Sequence, residues 1–403
     1  MPDTTVRPEG GWGRFALAAY GPTGLSSIGH GATTPLIALS ALDMGASVEL
    51  SALITGLAAL GQLAGDLPAS WVATRLGEKR AIVAACLWDA ACLGLAFAAT
   101  SLPLLCLAVF CFGPAGSVFG LARQSYITEA VPLFFRARAL SSLGGVFRIG
   151  GFLGPLAGSA VIAAWDLNWA YAFAAGMSLL AAGVTLALPD LPSDVRSRRQ
   201  HARPPRLWPV LRQHLRIFVT LGTGTLMLTL VRSVRQAILP LWCASLGLTA
   251  SATSLIFAVS MGIDMSLFFL GGSIMDRFGR FWVATPSLIV LGLGLALLPL
   301  THSVATVVVA ASVLGLGNGI GSGLIMVLGS DASPSVGRAQ FLSGWRLMSD
   351  FGNTMGPLAI SAIVALASLA VSGFVLGGVA WLGSAWLGHW IRRFGPPREA
   401  DQS

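Results

Sequence analysis

An all-α membrane protein of twelve transmembrane helices, arranged as two pseudo-symmetric six-helix halves, is the fold class this sequence predicts. Three observations lead there. Charged residues make up 10% of the chain and apolar residues 55%, against about a quarter charged in soluble domains. The mean hydropathy is +0.76. Finally, the chain repeats itself at an offset of 202 residues. Gly154-Pro155 returns as Gly356-Pro357, Arg136-Ala137 as Arg338-Ala339, Glu129-x-x-Pro132 as Asp331-x-x-Pro334, and Arg75-Leu76-Gly77 as Arg277-Phe278-Gly279. In a membrane chain, duplication of this kind builds transporters whose two halves rock about a central site.

A bilayer core of roughly 30 Å needs about 20 apolar residues per helix. Such runs fall at 14–37, 48–72, 81–99, 102–127, 140–164 and 169–188, then at 216–241, 250–273, 281–299, 303–328, 341–365 and 370–391. The resulting organisation is a first half over 1–189, a linker over 190–215 and a second half over 216–403. His30 and Asp89 make runs 1 and 3 the least regular.

Lys and Arg set the orientation. Arg7, Arg14, Arg75, Lys79, Arg80, Arg136, Arg138, seven arginines between Arg196 and Arg216, Arg277, Arg280, Arg338, Arg392, Arg393 and Arg398 all fall on one side. The opposite loops carry only Asp43, Glu49 and Asp166. Both termini and the linker are therefore expected in the cytoplasm, with the chain in the cytoplasmic membrane. The net charge of +8 is a matter of topology, which excludes a nucleic-acid partner. The linker reads as a solvated basic tether, with a short surface helix near 208–214 as the alternative. The polar opening residues, Asp3 and Glu9 among them, lack the basic start of a signal peptide, so the first span is expected to stay. Cys86, Cys92, Cys106, Cys111 and Cys243 form no CxxC pair. They read as small buried residues, with no disulfide, metal or cofactor implied.

The segment Gly272-Ser-Ile-Met-Asp276-Arg277-Phe-Gly279-Arg280 resembles the cytoplasmic loop signature of the major facilitator superfamily. Its first copy, Ser70-x-x-x-Thr74-Arg75-Leu-Gly77-Glu78-Lys79-Arg80, has Thr74 in place of the aspartate and Ser70 in place of the glycine. Gly150-x-x-x-Gly154-Pro155-Leu-Ala-Gly158 in span 5 is similar to the glycine-proline motif of the family's twelve-span drug/proton antiporters. The resemblance covers nearly the whole chain and implies a monomeric transporter working by alternating access. The arginine expected early in span 4 of proton antiporters falls near Val109 and is absent, and span 1 has no acidic residue.

Each motif has a physical reading. Small residues four apart on span 5 allow another helix to approach its backbone, and Pro155 permits a bend. Asp276, at the end of a cytoplasmic helix, is placed to latch onto basic loop residues. The run Gly315-x-Gly317-Asn318-Gly319-x-Gly321-x-Gly323 lacks the strand and the acidic residue of a nucleotide-binding loop, and reads as a flexible or close-packed membrane helix.

Ionisable residues inside spans carry the chemistry, because each costs at least about 2.5–3.5 kcal/mol at mid-membrane and needs a partner or a water-filled cavity. They are His30, Asp66, Asp89, Arg123, Arg148, Arg232, Arg235, Asp264, Arg346 and Asp350. By the repeat, Asp264 corresponds to Gln62, Asp350 to Arg148, and Arg232 to His30. The resemblance sets span 5 against span 8 and span 2 against span 11. It therefore implies that Arg148 meets Asp264, with Asp350 near Gln62, as an inter-half lock that a proton opens. Arg346 and Asp350 alternatively neutralise each other at i and i+4. Arg123 is expected beside Asp66, and Asp89 as a structural hydrogen-bonding residue.

Arg232 and Arg235 share one face of span 7, which the resemblance places on the cavity; with His30 and Asn318 they are the candidate contacts for an anionic or zwitterionic substrate, unless one or both arginines snorkel to the outer interface or bond to carbonyl groups. Trp88, Trp169, Trp345, Phe147 and Phe257 offer candidates for stacking on a substrate, although most read as lipid-facing or interfacial anchors. The favoured function is export of a small organic compound in exchange for protons, and its rival is uptake or exchange of an organic anion. A membrane-embedded enzyme lacks converging nucleophile, base and metal ligands, and a non-transporting sensor would be expected to carry a soluble domain. Transport, not catalysis, is expected.

Overall fold

In a bilayer every backbone polar group must find its partner within the chain, so apolar runs become helices. The computed structural model describes residues 11–131, 133–187, 207–334 and 337–394. The first ten residues, linker positions 190–206 and the tail from 395 lie outside the described residues, as do the side chains of Arg136 and Ala137. No strand occurs among the described residues.

The helices are α1 (Gly11–Thr33), α2 (Leu36–Asp43), α3 (Val48–Leu76), α4 (Glu78–Phe97), α5 (Leu102–Ala130), α6 (Leu133–Ala164) and α7 (Trp169–Leu186). After the linker come α8 (Leu207–Gln213), α9 (Leu215–Ile217), a π-helical turn (Phe218–Gly222) and α10 (Thr223–Ser245). Then follow α11 (Ala250–Phe278), α12 (Phe281–Leu297) with a 3₁₀ turn (Leu298–Leu300), α13 (Val304–Ile320), α14 (Leu324–Ala332), α15 (Arg338–Leu366) and α16 (Leu369–Phe394).

Ten of the described helical stretches are long and apolar enough to cross a membrane. The helices at the places of runs 1 and 11 do not reach that apolarity. One carries Ser26, Ser27 and His30 among its glycines, the other Arg346 and Asp350.

Two runs expected to be continuous are interrupted. Run 1 breaks at Thr34–Pro35, where proline removes a donor and biases the residue before it away from helical geometry. Run 10 breaks at 321–323, where Gly323 adopts φ +76°. The tether's end is a helix after all: in α8, Val210 and Leu211 pack on the second unit's core while Trp208 stays exposed.

The chain folds as two compact units, one of Met1–Thr33 with Ala64–Ala202 and one of Thr34–Leu63 with Arg203–Ser403. The division crosses α3 at Leu63. In the first unit, α1 packs on α6 and α7, and α4 on α5 and α7. In the second, α10 packs on α15, α11 on α13, and α12 on α13 and α16. Here α2 lies on α10 and α11, and Ala38 of α2 and Ala52 of α3 share an apolar core with Leu228, Val231 and Val234.

Glycine spacing sets the closest helix pairs. On α6, a Cβ at Gly150 or Gly154 would land on the α1 backbone at Ser27–Ile28 and Ile28–Ala32, and one at Gly158 would stand 3.3 Å from Ala32. The second unit repeats the device: Gly352 and Gly356 on α15 lie against Leu226–Thr229 and Leu230–Val234 of α10. These pairs fit the backbone approach that small residues allow.

Turns repeat too. Gly77 (φ +80°, ψ 158°) ends α3 and Gly279 (φ +92°, ψ 169°) ends α11, in a region open essentially to glycine alone. This accounts for the glycine in both copies of the loop signature.

Candidate functional site

The second unit gathers buried charge where α10, α11 and α13 meet. The side chain of Thr249 caps α11 by accepting from the Ala252 amide at 3.2 Å, and a Ser303–Thr306 capping box starts α13. The run of glycines then wedges α13 into place. A Cβ at Gly315 would fall on the Ser260 carbonyl and one at Gly319 would stand 2.9 Å from the Asp264 carbonyl, while Gly317 abuts α12 at Leu291. This close approach brings Asn318 to Asp264.

Arg235 is 2% exposed and Asp264 4%. The Arg235 Nη2 lies 3.5 Å from Asp264 Oδ2, its Nη1 donates to Ser260 Oγ at 3.1 Å, and Met261 Sδ is 3.6 Å away. The Asn318 amide donates to the same Asp264 oxygen, while its own Oδ1 is buried without a hydrogen-bond partner among the described residues.

Arg232, one turn away on α10, donates from Nη2 to the Gly321 carbonyl at 2.6 Å. That carbonyl belongs to the C-terminal cap of α13 at the break in run 10, an end that favours a cation. Ser287 donates to the Gly317 carbonyl at 2.6 Å and secures the same stretch from α12. Arg232, Arg235 and Asp264 thus lie within one stretch of packed helices, where a buried charge depends on its partners.

The first unit holds a different constellation. His30 Nε2 lies 3.3 Å from Asp89 Oδ1, and the Ser178 hydroxyl donates to Asp89 Oδ2 at 2.5 Å. Phe112 meets the imidazole edge-on at 4.6 Å between ring centroids. A void of about 10 Å³ adjoins His30 and Asp89, on the order of one water's space.

Other expected residues fall elsewhere. Arg346 Nε donates to Asp350 Oδ2 at 3.4 Å along α15. Gln62, on α3, falls in the second unit together with Asp350, whereas Arg148, on α6, belongs to the first. Asp276 and Arg277 end α11, where the Arg277 guanidinium lies 5.4 Å from the Phe278 ring, and Gly272 has open space where a Cβ would be. Arg75 covers Trp71 at 4.6 Å. Arg280 forms a two-pronged pair with Asp331 of α14, at 2.7 and 3.3 Å.

Most of the five aromatic residues are exposed, as expected, and two are not. Phe257 and Trp345 are buried in the second unit's core, while Trp88, Trp169 and Phe147 are exposed. Sequence reasoning missed Ser260 and Ser178 as partners. Neither sits in a motif, and each is brought to its partner by a different helix.

Long apolar helices with charges gathered inside helix packing define a multi-pass membrane protein of the transporter class. The chain belongs to the Major Facilitator Superfamily, whose sequence model matches residues 23–357 and, in a second alignment, 221–402. The superfamily comprises transporters rather than enzymes.

A gallate transporter of Pseudomonas putida is 31% identical over 150 residues, which is 35% of this chain and 33% of that protein. The match thus spans about a third of that relative's length. Among solved structures, a POT family transporter in complex with 5-aminolevulinic acid is similar with a TM-score of 0.78 at 11% identity, over 95% of this chain and 97% of that one. A D-xylose–proton symporter gives 0.73 at 16% identity, over 93% and 96%. At these identities the likeness to solved structures is one of fold.

Proposed function

We propose that the protein is a secondary transporter of a small organic anion in the cytoplasmic membrane, coupled to protons through Asp264. Twelve crossings, with α1–α2 and α15 as the two more polar ones, are part of this reading, and the Lys and Arg bias supports cytoplasmic termini and basic loops. The observation that carries the reading is the buried Arg235–Asp264–Asn318 cluster beside Arg232.

Its logic is one of charge. Arg235 and Asp264 together are neutral. A proton on Asp264 removes the anion 3.5 Å from the Arg235 guanidinium, and weakening the pairing of a buried charge is costly. A substrate carboxylate at Arg235 restores neutrality. Proton and anion therefore favour each other's binding, and by linkage the preference is reciprocal. An inward proton gradient then drives uptake. A cation would compete with the proton at Asp264 while facing two arginines, so the cluster disfavours it. The gallate transporter supplies the first compounds to try, gallate and other small aromatic carboxylates.

Proton-coupled efflux is the second reading, favoured by the glycine-proline segment on α6. Its glycines at 150, 154 and 158 face α1, so close helix contact accounts for them whatever the direction of transport.

The test is proton movement in proteoliposomes under an imposed pH gradient, with aromatic and aliphatic carboxylates, amines and neutral compounds offered in turn. Carboxylate-dependent proton entry alongside the substrate, lost in Asp264→Asn, is the expected result. Counter-movement of protons assigns efflux. Proton flux that persists in Asp264→Asn overturns the role of Asp264.

A further inference from the structure

A groove between α12 and α16 has no part in the chemistry above. It is a shallow, open groove with a volume of about 580 Å³, lined among others by Phe281, Thr285, Ser384, His389, Arg392 and Arg393. Small residues make it: Gly388 faces Thr285 and Phe281, and a Cβ there would stand 2.8 Å from Thr285 Oγ1.

Three features give the groove a chemical preference. The Arg392 guanidinium lies 3.9 Å from the centroid of the Phe281 ring, a stacking that holds its plane while its N–H edge stays available. Neither Arg392 nor Arg393 has a carboxylate partner among the described residues. Thr285 Oγ1 is buried without a hydrogen-bond partner among them, although the Thr285 carbonyl accepts from Ser384 at 3.1 Å.

The groove continues as an apolar seam. Two turns further along the same helices, Trp381 donates to the Ile289 carbonyl at 3.2 Å, and both side chains are exposed. Trp282, next to Phe281, and Phe394, next to Arg393, are exposed at the basic end. Charge at one end, a belt of aromatics around it and an exposed apolar track beyond match a phospholipid's headgroup, interface and acyl chain.

We infer that this groove binds one anionic phospholipid, its phosphate held by Arg392 and Arg393 with Thr285 as a further donor, and its acyl chain along the Ile289–Trp381 seam. The site lies apart from Asp264 and does not depend on the coupling proposed there.

Native mass spectrometry of the full chain tests this, with phosphatidylglycerol, phosphatidylcholine and inorganic phosphate titrated separately. One phosphatidylglycerol is expected to be retained in preference to phosphatidylcholine. Arg392→Gln with Arg393→Gln should weaken it roughly 30-fold, at about fivefold per basic group. Thr285→Val, which keeps the charge and the shape, should weaken it by a smaller factor. Equal retention of both lipids, or unchanged affinity in the double variant, overturns the site. Protection by phosphate alone, equal to that by lipid, overturns the choice of a lipid. Binding that emerges only in Glu399→Gln/Asp401→Asn assigns the groove to the chain's own acidic tail and also overturns it. A failure of Asp264→Asn to alter transport would leave these outcomes untouched.

Discussion

Positions 30 and 232 are the same place in the two copies of the repeat, yet they serve different chemistry. In the first unit His30 joins Asp89 and Ser178 in a compact hydrogen-bonded group. In the second, Arg232 holds a helix end while Arg235, one turn on, takes an aspartate that has no acidic counterpart in the first copy. The backbones around them stay alike. Gly77 and Gly279 make the same turn, and the glycine pairs on α6 and α15 seat their partner helices alike. The scaffold is held by steric limits that tolerate only glycine, whereas side-chain chemistry is free to diverge between the copies.

The largest expected effect comes from breaking the second unit's pair. Arg235→Met removes the guanidinium beside Asp264 and should lower stability by up to about 3–5 kcal/mol, measured by thermal unfolding in detergent, with loss of transport. Adding Asp264→Leu should recover most of the stability and none of the transport. If the single variant is as stable as the parent, the pair is not the charged centre described.

The shared scaffold is tested next. Gly154→Val and Gly356→Val each push a side chain into facing backbone and should cost about 3 kcal/mol or more, read as loss of a monodisperse folded peak. A large effect in one copy and none in the other would break the equivalence. Gly77→Ala and Gly279→Ala should each cost about 1–3 kcal/mol for strained backbone, by similar amounts in the two copies.

The smallest effect sharpens the contrast. Asp89→Asn keeps its place beside Ser178 and should change stability by about 1 kcal/mol, with substrate-dependent proton flux at the parental level. Abolition of that flux would move proton handling into the first unit.

Much of this was legible in the chain. Composition, apolar run lengths and the repeat lead to a membrane protein of helices, because a bilayer leaves backbone polar groups no other solution. The glycine spacings predicted close helix contacts, since a missing Cβ is a local fact of sequence. The breaks at Thr34–Pro35 and at 321–323 were signalled by proline and glycine but hidden beneath hydrophobic averages.

Only tertiary structure decided which charges meet. Asp264 lies 29 residues from Arg235 and 54 from Asn318, and Asp89 lies 59 from His30 and 89 from Ser178. One-dimensional spacing carries no information about which faces of which helices touch. That Phe257 and Trp345 are buried while Phe147 and Trp88 are exposed was decided the same way. In a chain whose lipid-facing and core-facing surfaces are equally apolar, hydropathy cannot distinguish them, and packing alone assigns each side chain its surroundings.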